Sequence, residues 1–422
     1  MNVTVVGTGY VGLVSGVGLA LKGHKVYCYD NNKDKIELIR KGKSPIFEEG
    51  LDEAIQKTLN RTLFPITDLN KALNDSDASF ICVGTPCDDE GKCDLTFVKS
   101  VARDIGNFLK NSNEFHTVVV KSTVVPGTTL EEVRPVLEGS SGKKAGEDFG
   151  LCMNPEFLRE GVALDDFLKP DRIVVGSVGE KEKKLMQELY SNFNSPVLFT
   201  DTTEAEMIKY ASNSFLSTKI SFINEIGNLC KALGIDVYRV AEGMGMDKRI
   251  GRHFLNAGIG WGGSCFPKDV TALISKAKEL GIDASIMESI VKVNEEQPNK
   301  LIELAKKKHS LKGKRIGLLG LAFKPGTDDV RESRAIKIIE ALNREGATIL
   351  AHDPQAEENM KKLFPELNYF DSAQKLVEES EIIFVVTEWP HFSKLDFKGK
   401  PVFDGRRIFK EKFPENYTGI CW

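Results

Sequence analysis

The sequence of 422 residues predicts an α/β protein with two doubly wound, mostly parallel sheets joined by a long central helix. Short apolar runs alternate with amphipathic segments of helix length in the first half of the chain and again near its end. Between these regions, apolar residues recur at helical spacing over roughly thirty positions. A chain of this length exceeds one core, so we predict three domains over residues 1–200, 201–300 and 311–422.

Apolar, β-branched runs mark the strands of both sheets. In the first region the predicted strands are Val3–Val6, Lys25–Tyr29, Phe80–Val83, Thr117–Val120, Leu151–Met153, Ile173–Val175 and Val197–Phe199. In the last region they are Arg315–Leu319, Ala347–Ala351, Ile382–Val386 and Pro401–Phe403. Both regions start with an apolar strand that enters a glycine turn, so we expect related folds.

The predicted central helix begins at a capping box, Thr203-Glu204-Ala205-Glu206. Its apolar residues run from Met207 to Cys230, and the pattern stops at Gly234. A helix of that length exceeds one small domain, so it is expected to bridge domains and to offer a dimer surface. Two ordinary helices with a break near residues 212–214 are the alternative.

The bulk composition excludes several classes of function. The net charge is -4, with 41% hydrophobic and 28% charged residues, as in ordinary globular proteins. A mildly acidic chain has no general attraction to nucleic acid or to an anionic membrane. No apolar run is long enough for a membrane helix, and the start of the chain lacks the basic flank of a signal peptide. We therefore expect a cytoplasmic protein.

The eight cysteines are scattered along the chain, which favours reduced thiols. Cys82, Cys87 and Cys93 are the closest set, but they lack a Cys-x2-Cys unit and a nearby histidine. We therefore expect buried or incidental thiols there and no metal site.

A dinucleotide fingerprint opens the chain. The first predicted strand leads into Gly7-Thr8-Gly9-Tyr10-Val11-Gly12 and a helix, and Asp30 ends the next strand. The first glycine permits the turn, the second lets a pyrophosphate approach the backbone, and the third lets the helix pack on the strand. Asp30 should accept from a ribose hydroxyl and repel a 2′-phosphate, which favours NAD over NADP, although Lys33 and Lys35 weaken that preference. A glycine turn without a ligand is the alternative.

Two later strand ends are expected in the same crevice, because ligands bind beyond the carboxyl ends of parallel strands. They are Val83-Gly84-Thr85-Pro86 and Lys121-Ser122-Thr123-Val124. Ordinary turns are the alternative for both.

A lone cysteine, Cys265, lies in the run Gly258-Ile259-Gly260-Trp261-Gly262-Gly263-Ser264-Cys265-Phe266-Pro267-Lys268-Asp269. Pro267 favours a helix start, so the thiol should sit near a positive helix end beside Lys268, and both lower a thiol pKa. A thiolate can hold an aldehyde as a hemithioacetal that a nicotinamide then oxidises to a thioester. Together with the fingerprint, this predicts a dehydrogenase that oxidises one alcohol carbon twice. A buried structural cysteine is the alternative.

Other polar residues admit two interpretations each. Lys209 and Asn213 lie four apart on the long helix, where they could hold an alkoxide, or Lys209 could be a snorkelling surface residue. Glu156 and Glu160 could do acid–base work, or they could mark a solvated helix start. Basic groups near the later strand ends could bind diphosphate or lie on the surface. These groups are Lys324, Arg331, Arg406 and Arg407.

Taken together, these residues resemble the UDP-glucose/GDP-mannose dehydrogenase family of nucleotide-sugar 6-dehydrogenases. The match runs along nearly the whole chain, in the family's order, through Gly7–Gly12, Thr123, Asn154–Gly161, Lys209 with Asn213, Gly258–Asp269, Phe323–Lys324 and Asp404–Arg407. The resemblance implies an N-terminal Rossmann domain for NAD, a long central helix that forms a homodimer, and a C-terminal Rossmann-like domain that completes the UDP-sugar site. It also implies two NAD reduced per substrate.

The resemblance further implies residue roles. Cys265 would be the covalent nucleophile, Lys209 and Asp269 would assist the first oxidation, and Asn213 would orient the sugar. Glu156 or Glu160 would help to hydrolyse the thioester, and Arg249 would reach the neighbouring subunit's substrate site. The implied cofactor contacts are Gly7, Gly9, Tyr10, Val11, Gly12, Asp30, Lys35, Val83, Gly84, Thr85, Thr123, Glu160 and Arg331, with Thr123 also among the catalytic set. The implied substrate contacts are Glu156, Phe157, Leu158, Arg159, Lys209, Asn213, Arg249, Asn256, Gly262, Phe323, Lys324 and Arg406.

The resemblance favours UDP-glucose, oxidised at C6 to UDP-glucuronate. The stretch from Leu168 to Val174 and Trp261 are more like the UDP-glucose branch, whereas relatives that act on UDP-N-acetylhexosamines have His at the position of Ser264. GDP-mannose and a UDP-N-acetylhexosamine remain alternative sugars. A single-step dehydrogenase of the 6-phosphogluconate type and a non-catalytic NAD or redox sensor are the alternative functions.

Overall fold

A computed structural model describes residues 1–88 and 90–422, which divide into two compact units, Met1–Ser212 and Asn213–Trp422. Each unit contains a twisted sheet flanked by helices, and the helix from Thr202 to Leu233 is continuous. The predicted α/β class with a long central helix is therefore confirmed, and the alternative of two shorter helices is wrong.

The first unit is built on an eight-stranded sheet. Its strands are β1 (Asn2–Val6), β2 (Lys25–Tyr29), β3 (Leu63–Ile66), β4 (Ala78–Ile81), β5 (Thr117–Val120), β6 (Gly150–Met153), β7 (Ile173–Ser177) and β8 (Val197–Thr200). Its helices are α1 (Tyr10–Leu21), α2 (Lys33–Arg40), α3 (Leu51–Thr58), α4 (Leu69–Asn74), α5 (Thr96–Asn111), a π-helix (Thr129–Val133), α6 (Arg134–Ser141), α7 (Ala163–Leu168), α8 (Glu180–Leu189) and the start of α9 (Thr202–Leu233).

The strand order of this sheet is β3-β2-β1-β4-β5-β6-β7-β8. The order reverses beside β1, which pairs in parallel with both β2 and β4. In open parallel sheets a ligand crevice forms at such a reversal, beyond the carboxyl ends of the strands. The inner strands β4 and β5 are buried on both faces, as expected for a parallel sheet with helices on both sides. One pairing departs from the parallel pattern, since β7 runs antiparallel to β6.

The second unit contains a six-stranded, all-parallel sheet. Its strands are β9 (Arg315–Leu319), β10 (Thr348–His352), β11 (Asn368–Tyr369), β12 (Ile382–Val385), β13 (Val402–Asp404) and β14 (Tyr417–Gly419). Besides the rest of α9, its helices are α10 (Val237–Gly245), α11 (Phe266–Glu279), α12 (Ser285–Lys308), α13 (Arg334–Arg344), α14 (Glu357–Lys361), α15 (Ala373–Glu379) and a 3₁₀-helix (Pro390–Lys394). The order β11-β10-β9-β12-β13-β14 repeats the arrangement around β1 of the first unit, which confirms the predicted relation between the two regions.

Two cysteines differ from the prediction. Cys87 and Cys93 are joined by a disulfide, so the expectation of reduced thiols is wrong for this pair. The physical reason is a tight return of the chain, which brings their Cα atoms to 4.0 Å across an antiparallel bridge. Cys82, the third member of that set, is a separate buried thiol.

None of the helices in the described residues has the length and apolar character of a membrane span.

Candidate active site

The first glycine loop has the geometry that a dinucleotide requires. Gly7 has a φ of +100°, and a Cβ at this position would lie 2.8 Å from the Cys82 carbonyl oxygen. A Cβ on Gly12 would lie 1.9 Å from the Gly7 carbonyl oxygen, so α1 can approach β1 only with glycine there. Gly9, at the N-terminus of α1, faces open space. The loop therefore leaves room for a pyrophosphate at a helix N-terminus, as predicted.

Asp30 lies at the end of β2 as a buried carboxylate. It accepts hydrogen bonds from the Thr8 amide at 2.7 Å, the Thr8 hydroxyl at 2.8 Å and the Asn32 amide at 2.9 Å. Burial raises its pKa, but these hydrogen bonds and Lys35, whose Nζ lies 3.9 Å away, outweigh burial and leave the pKa below its usual value. Asp30 is therefore ionised at neutral pH, as an acceptor for ribose hydroxyls must be.

The predicted crevice residues at the ends of β4 and β5 meet. The Thr85 hydroxyl donates to the Thr123 carbonyl at 2.7 Å, and the Ser122 hydroxyl donates to the Val83 carbonyl at 2.7 Å. A Cβ on Gly84 would meet nothing within 4 Å. These loops and the glycine turn fit an NAD molecule bound along the switch point of the sheet.

The segment after β6 is not the solvated helix start that its sequence favours. It has no regular secondary structure, and Glu156 is 6% exposed. The Lys209 ammonium of α9 lies 2.9 Å from Glu156 Oε1, and the Leu158 amide donates to Glu156 Oε2 at 2.5 Å. Lys209 is itself only 4% exposed, so its interpretation as a snorkelling surface residue is also wrong.

The Phe157 ring lies close to Lys209 of this ion pair and to a second cation. The Lys209 ammonium lies 5.5 Å from the centre of its ring, and the Arg172 guanidinium lies 4.0 Å from the same ring. Arg159, by contrast, points to solvent and forms an ion pair with Asp166 at 2.6 Å. Within this unit, Arg159 is thus not among the buried polar groups around Glu156.

Two buried residues of the first unit were missed as site residues. Glu48 accepts from the Tyr10 hydroxyl, from the Gly161 amide at 2.7 Å and from the Ala163 amide at 2.6 Å. It thereby ties the glycine loop to the segment that carries Glu160. Lys121, named only as part of a strand end, is buried beside Asn154. No spacing in the sequence marks either residue, because their partners are distant along the chain.

Cys265 lies at the N-terminus of α11, and Pro267 occupies the first turn, as predicted. Its thiol is half-buried, and among the described cysteines outside the disulfide it is the only one that is not buried. The Ser264 hydroxyl lies 3.7 Å from its sulfur. The position favours a thiolate, because the backbone amides of a helix N-terminus stabilise negative charge.

Asp269 is buried one turn further along α11. It accepts from the Asn213 side-chain amide at 2.6 Å and from the Lys268 ammonium at 2.5 Å. Asn213 belongs to α9, so this contact connects the two helices that carry the predicted catalytic residues of the second unit.

Buried amide side chains hold the glycine-rich run before Cys265. Asn294 of α12 accepts from the Trp261 amide at 2.7 Å and donates to the Trp261 carbonyl at 3.0 Å. Asn224 of α9 accepts from the Gly258 amide at 2.8 Å, and Gln297 donates to the Gly258 carbonyl at 3.0 Å. A loop that is fixed from two helices can present its cysteine in one conformation.

Several predicted substrate residues surround the same run. A Cβ on Gly262 would lie 2.1 Å from the Glu332 carbonyl oxygen, and a Cβ on Gly263 would lie 2.7 Å from the Phe323 ring. The Lys324 ammonium lies 5.5 Å from the centre of the Phe323 ring. The Arg406 guanidinium donates to the Gly260 carbonyl at 3.1 Å. The structure therefore brings these predicted substrate residues together around the cysteine loop.

Three predicted residues lie at the surface of this unit. Asn256 is exposed, and Arg249 is paired with Asp247 at 2.6 Å. The Arg331 carbonyl accepts from the Gly263 amide at 3.0 Å, while its guanidinium pairs with Asp329. The backbone of Arg331 thus contacts the cysteine loop.

The chain matches three family models, which together span most of its length. They are described as the NAD binding domain (residues 1–194), the central domain (residues 203–296) and the UDP binding domain (residues 317–411) of the UDP-glucose/GDP-mannose dehydrogenase family. A UDP-glucose 6-dehydrogenase of Haloferax volcanii is 42% identical, with 100% of both chains covered.

Solved structures of nucleotide-sugar dehydrogenases are similar to this chain as well. A UDP-glucose dehydrogenase from Pyrobaculum islandicum has a TM-score of 0.95 and 43% identity, covering 100% of this chain and 98% of that one. A UDP-D-ManNAc dehydrogenase from Pyrococcus horikoshii has a TM-score of 0.87 and 30% identity, covering 100% and 99%. The resemblance that the sequence motifs indicated is thus confirmed over the full length: the chain belongs to the UDP-glucose/GDP-mannose dehydrogenase family.

Proposed function

We propose that this protein is an NAD-dependent UDP-glucose 6-dehydrogenase that oxidises C6 of the sugar twice and releases UDP-glucuronate. The observation that carries the proposal is the half-buried Cys265 thiol at the N-terminus of α11, in a loop fixed by buried amides. Full-length relatives named UDP-glucose 6-dehydrogenase, such as that of Haloferax volcanii, support the choice of sugar. In this proposal, residues 1–200, 201–300 and 311–422 act as cofactor, dimerisation and UDP-sugar domains.

NAD, when bound, accepts the C6 hydride in each oxidation. In the first oxidation the hydroxyl proton passes to a base, and Lys209 and Asp269 are the proposed assisting groups. The Cys265 thiolate then adds to the aldehyde carbon and forms a C–S bond. Loss of the second hydride leaves a thioester on Cys265.

Water completes the reaction. Its oxygen adds to the thioester carbon, the C–S bond breaks, and the thiolate is restored as the carboxylate product leaves. We propose that Glu156 or Glu160 accepts the proton of this water and that Asn213 orients the sugar. Glu156 is ionised for that role, because Lys209 and the Leu158 amide outweigh burial and lower its pKa.

A panel of nucleotide sugars tests the function. UDP-glucose should give two NADH per molecule and UDP-glucuronate as product, with NAD preferred to NADP because Asp30 is an ionised acceptor at the ribose position. The stoichiometry is measured from NADH absorbance and product chromatography. Preferred turnover of GDP-mannose or a UDP-N-acetylhexosamine would reassign the sugar. One NADH per sugar would favour single-step chemistry, and NAD binding without turnover would favour a sensor.

We also propose a homodimer formed through α9. Phe215, Phe222 and Leu229 lie seven residues apart on this helix and are 64%, 47% and 58% exposed. Seven-residue spacing of apolar side chains forms one stripe along a helix, suited to a second apolar surface. Arg249, 88% exposed, would then reach the neighbouring subunit's substrate site. A cytoplasmic setting is proposed as well, since the reaction requires Cys265 in its reduced form.

Phe222→Glu is expected to convert the dimer into a monomer, because a buried charge would replace an apolar contact. Light scattering coupled to size-exclusion chromatography measures the mass, and the KM for the sugar should rise with dissociation. Leu363→Glu is the matched control, because Leu363 is likewise a large exposed apolar residue, 53% exposed, but lies outside α9. A monomeric wild-type protein with full activity would refute the dimer.

A further inference from the structure

Lys121 is a buried cation to which the proposed chemistry gives no role. It follows β5 and is 4% exposed. Its ammonium donates to Asn154 Oδ1 at 3.0 Å and to the Asn154 carbonyl at 3.3 Å. It forms no ion pair with a carboxylate among residues 1–88 and 90–422, in contrast to Lys209.

Such an arrangement is costly. Moving an ammonium out of water costs several kcal/mol unless a counter-charge and full hydrogen bonding compensate for it. Burial accordingly lowers the pKa of Lys121 to about 8, opposed by Cys82 and Glu156. A methionine of similar length would avoid this cost. We therefore expect the positive charge of Lys121 to have a function.

Asn154 connects Lys121 to Glu156. Besides Lys121, the Tyr190 hydroxyl donates to Asn154 Oδ1 at 2.5 Å, and the Asn154 amide donates to the Val174 carbonyl at 2.7 Å. Asn154 is thus held from three directions, two residues before Glu156. Any shift of Lys121 would be transmitted to Glu156 through this short segment.

The charged groups around Glu156 explain its ionisation. Burial alone would raise its pKa, yet the net direction is downward because of Lys209, the Leu158 amide and then Lys121. Two buried cations, one on α9 and one at the end of β5, therefore both lower the pKa of this buried carboxylate, and only Lys209 is paired with it in the described structure.

We propose that Lys121 is a positioning residue that holds the Asn154–Glu156 segment and keeps Glu156 in its carboxylate form for thioester hydrolysis. This inference rests on the proposed function. It assigns Lys121 no contact with the substrate: Lys121 acts on Glu156 through space and through Asn154. In the hydrolysis step, Glu156 accepts the water proton while the C–S bond breaks, and the charge of Lys121 is unchanged.

The charges of Lys121 and Glu156 determine in which direction the pH dependence of hydrolysis should shift. Lys121 is fully charged well below pH 8, which is the range in which Glu156 would otherwise gain a proton. Removing that charge raises the Glu156 pKa, so the acid limb of the hydrolysis rate should move to higher pH. Above the new limb Glu156 is again a carboxylate, and the rate should recover.

The decisive variant is Lys121→Gln, which can still donate to Asn154 but carries no charge. We expect the acid limb of the steady-state rate to move up by about one pH unit, a loss of about tenfold below the limb. At the same low pH, quenched samples analysed by intact-protein mass spectrometry should show the Cys265 thioester accumulating. Circular dichroism and NAD affinity are expected to match the wild type.

Tyr190→Phe is the matched control. It removes the other hydrogen bond to Asn154 Oδ1 without changing any charge at neutral pH, so its pH profile should keep the wild-type limb. A Lys121→Gln profile that coincides with that of the wild type, or one lowered equally at all pH values, would refute the inference alone. Absence of any Cys265 adduct in the wild type, together with full activity of Cys265→Ala, would instead refute the proposed function.

Discussion

Cys265→Ala is expected to abolish formation of UDP-glucuronate, with kcat reduced by roughly 10³-fold or more, because the aldehyde then has no thiolate at this position to add to before the second oxidation. The five other cysteines outside the disulfide are buried, so none of them offers a substitute thiol within the described structure. The measurement is the yield of acid and of NADH per UDP-glucose under saturating NAD.

Cys230→Ala is the control, because it removes a cysteine thiol that has no proposed role in the reaction. Cys230 is a free cysteine packed in the core of the second unit, and its replacement should lower stability slightly and leave the stoichiometry at two NADH. If Cys265→Ala still produced acid at the wild-type rate, the covalent route would be refuted. If it produced aldehyde with one NADH, the assignment of Cys265 to the second oxidation would be supported.

Lys209→Met is expected to have the second largest effect, on both stability and turnover. The Lys209–Glu156 pair is buried, so after loss of the ammonium the carboxylate is still stabilised by Lys121 and the Leu158 amide but has lost its ion-pair partner. Breaking such a pair costs on the order of 3–5 kcal/mol, and Lys121 should bring the value toward the lower end. Turnover should fall by roughly 10²-fold or more, as for loss of an electrostatic group in the transition state.

The stability loss should depend on pH. In the wild type the lowered pKa of Glu156 stabilises the fold above the unfolded-state pKa, and this contribution is lost as pH falls through the folded-state pKa. In Lys209→Met burial raises the pKa instead, so the destabilisation should be largest near neutral pH and shrink toward pH ~4. Urea unfolding at several pH values measures this.

The double variant Lys209→Met with Glu156→Gln should recover most of the lost stability, because the unpaired buried charge is gone. Lys219→Met, also on α9 but near the surface, is the matched control and should change stability by no more than about 0.5 kcal/mol. Equal losses for Lys209→Met and Lys219→Met would contradict the importance of the buried pair.

The fold was predictable where the pattern is local. Every predicted strand overlaps an observed one, since runs of β-branched residues between amphipathic segments require only short-range information. The strands that were missed, β3, β11 and β14, are short edge or outer strands, and β3 contains Pro65. Edge strands carry weak apolar signals because one side of their backbone remains unpaired.

Some of the candidate site residues were easier to predict from the sequence than others. The glycine loop, Asp30 and the helix start after Cys265 all appear as expected, because close approach and helix capping dictate residue types at fixed spacing. Glu156 was harder to place. Its neighbours in sequence favour a solvated helix start, whereas its burial is set by Lys209, a residue on a helix that begins far along the chain.

By itself, the sequence determined the succession of elements, the dinucleotide fingerprint, the continuous long helix and the cysteine at a helix N-terminus. Each depends on contacts between residues that are close along the chain. Only the tertiary structure decided which charges are buried together, such as Lys121 and Lys209 around Glu156, and which glycines meet Glu332 and Phe323. The residues in these contacts are distant along the chain and become neighbours only when the chain folds. Their burial and their neighbours, and not their residue type, determine whether each titratable side chain is ionised.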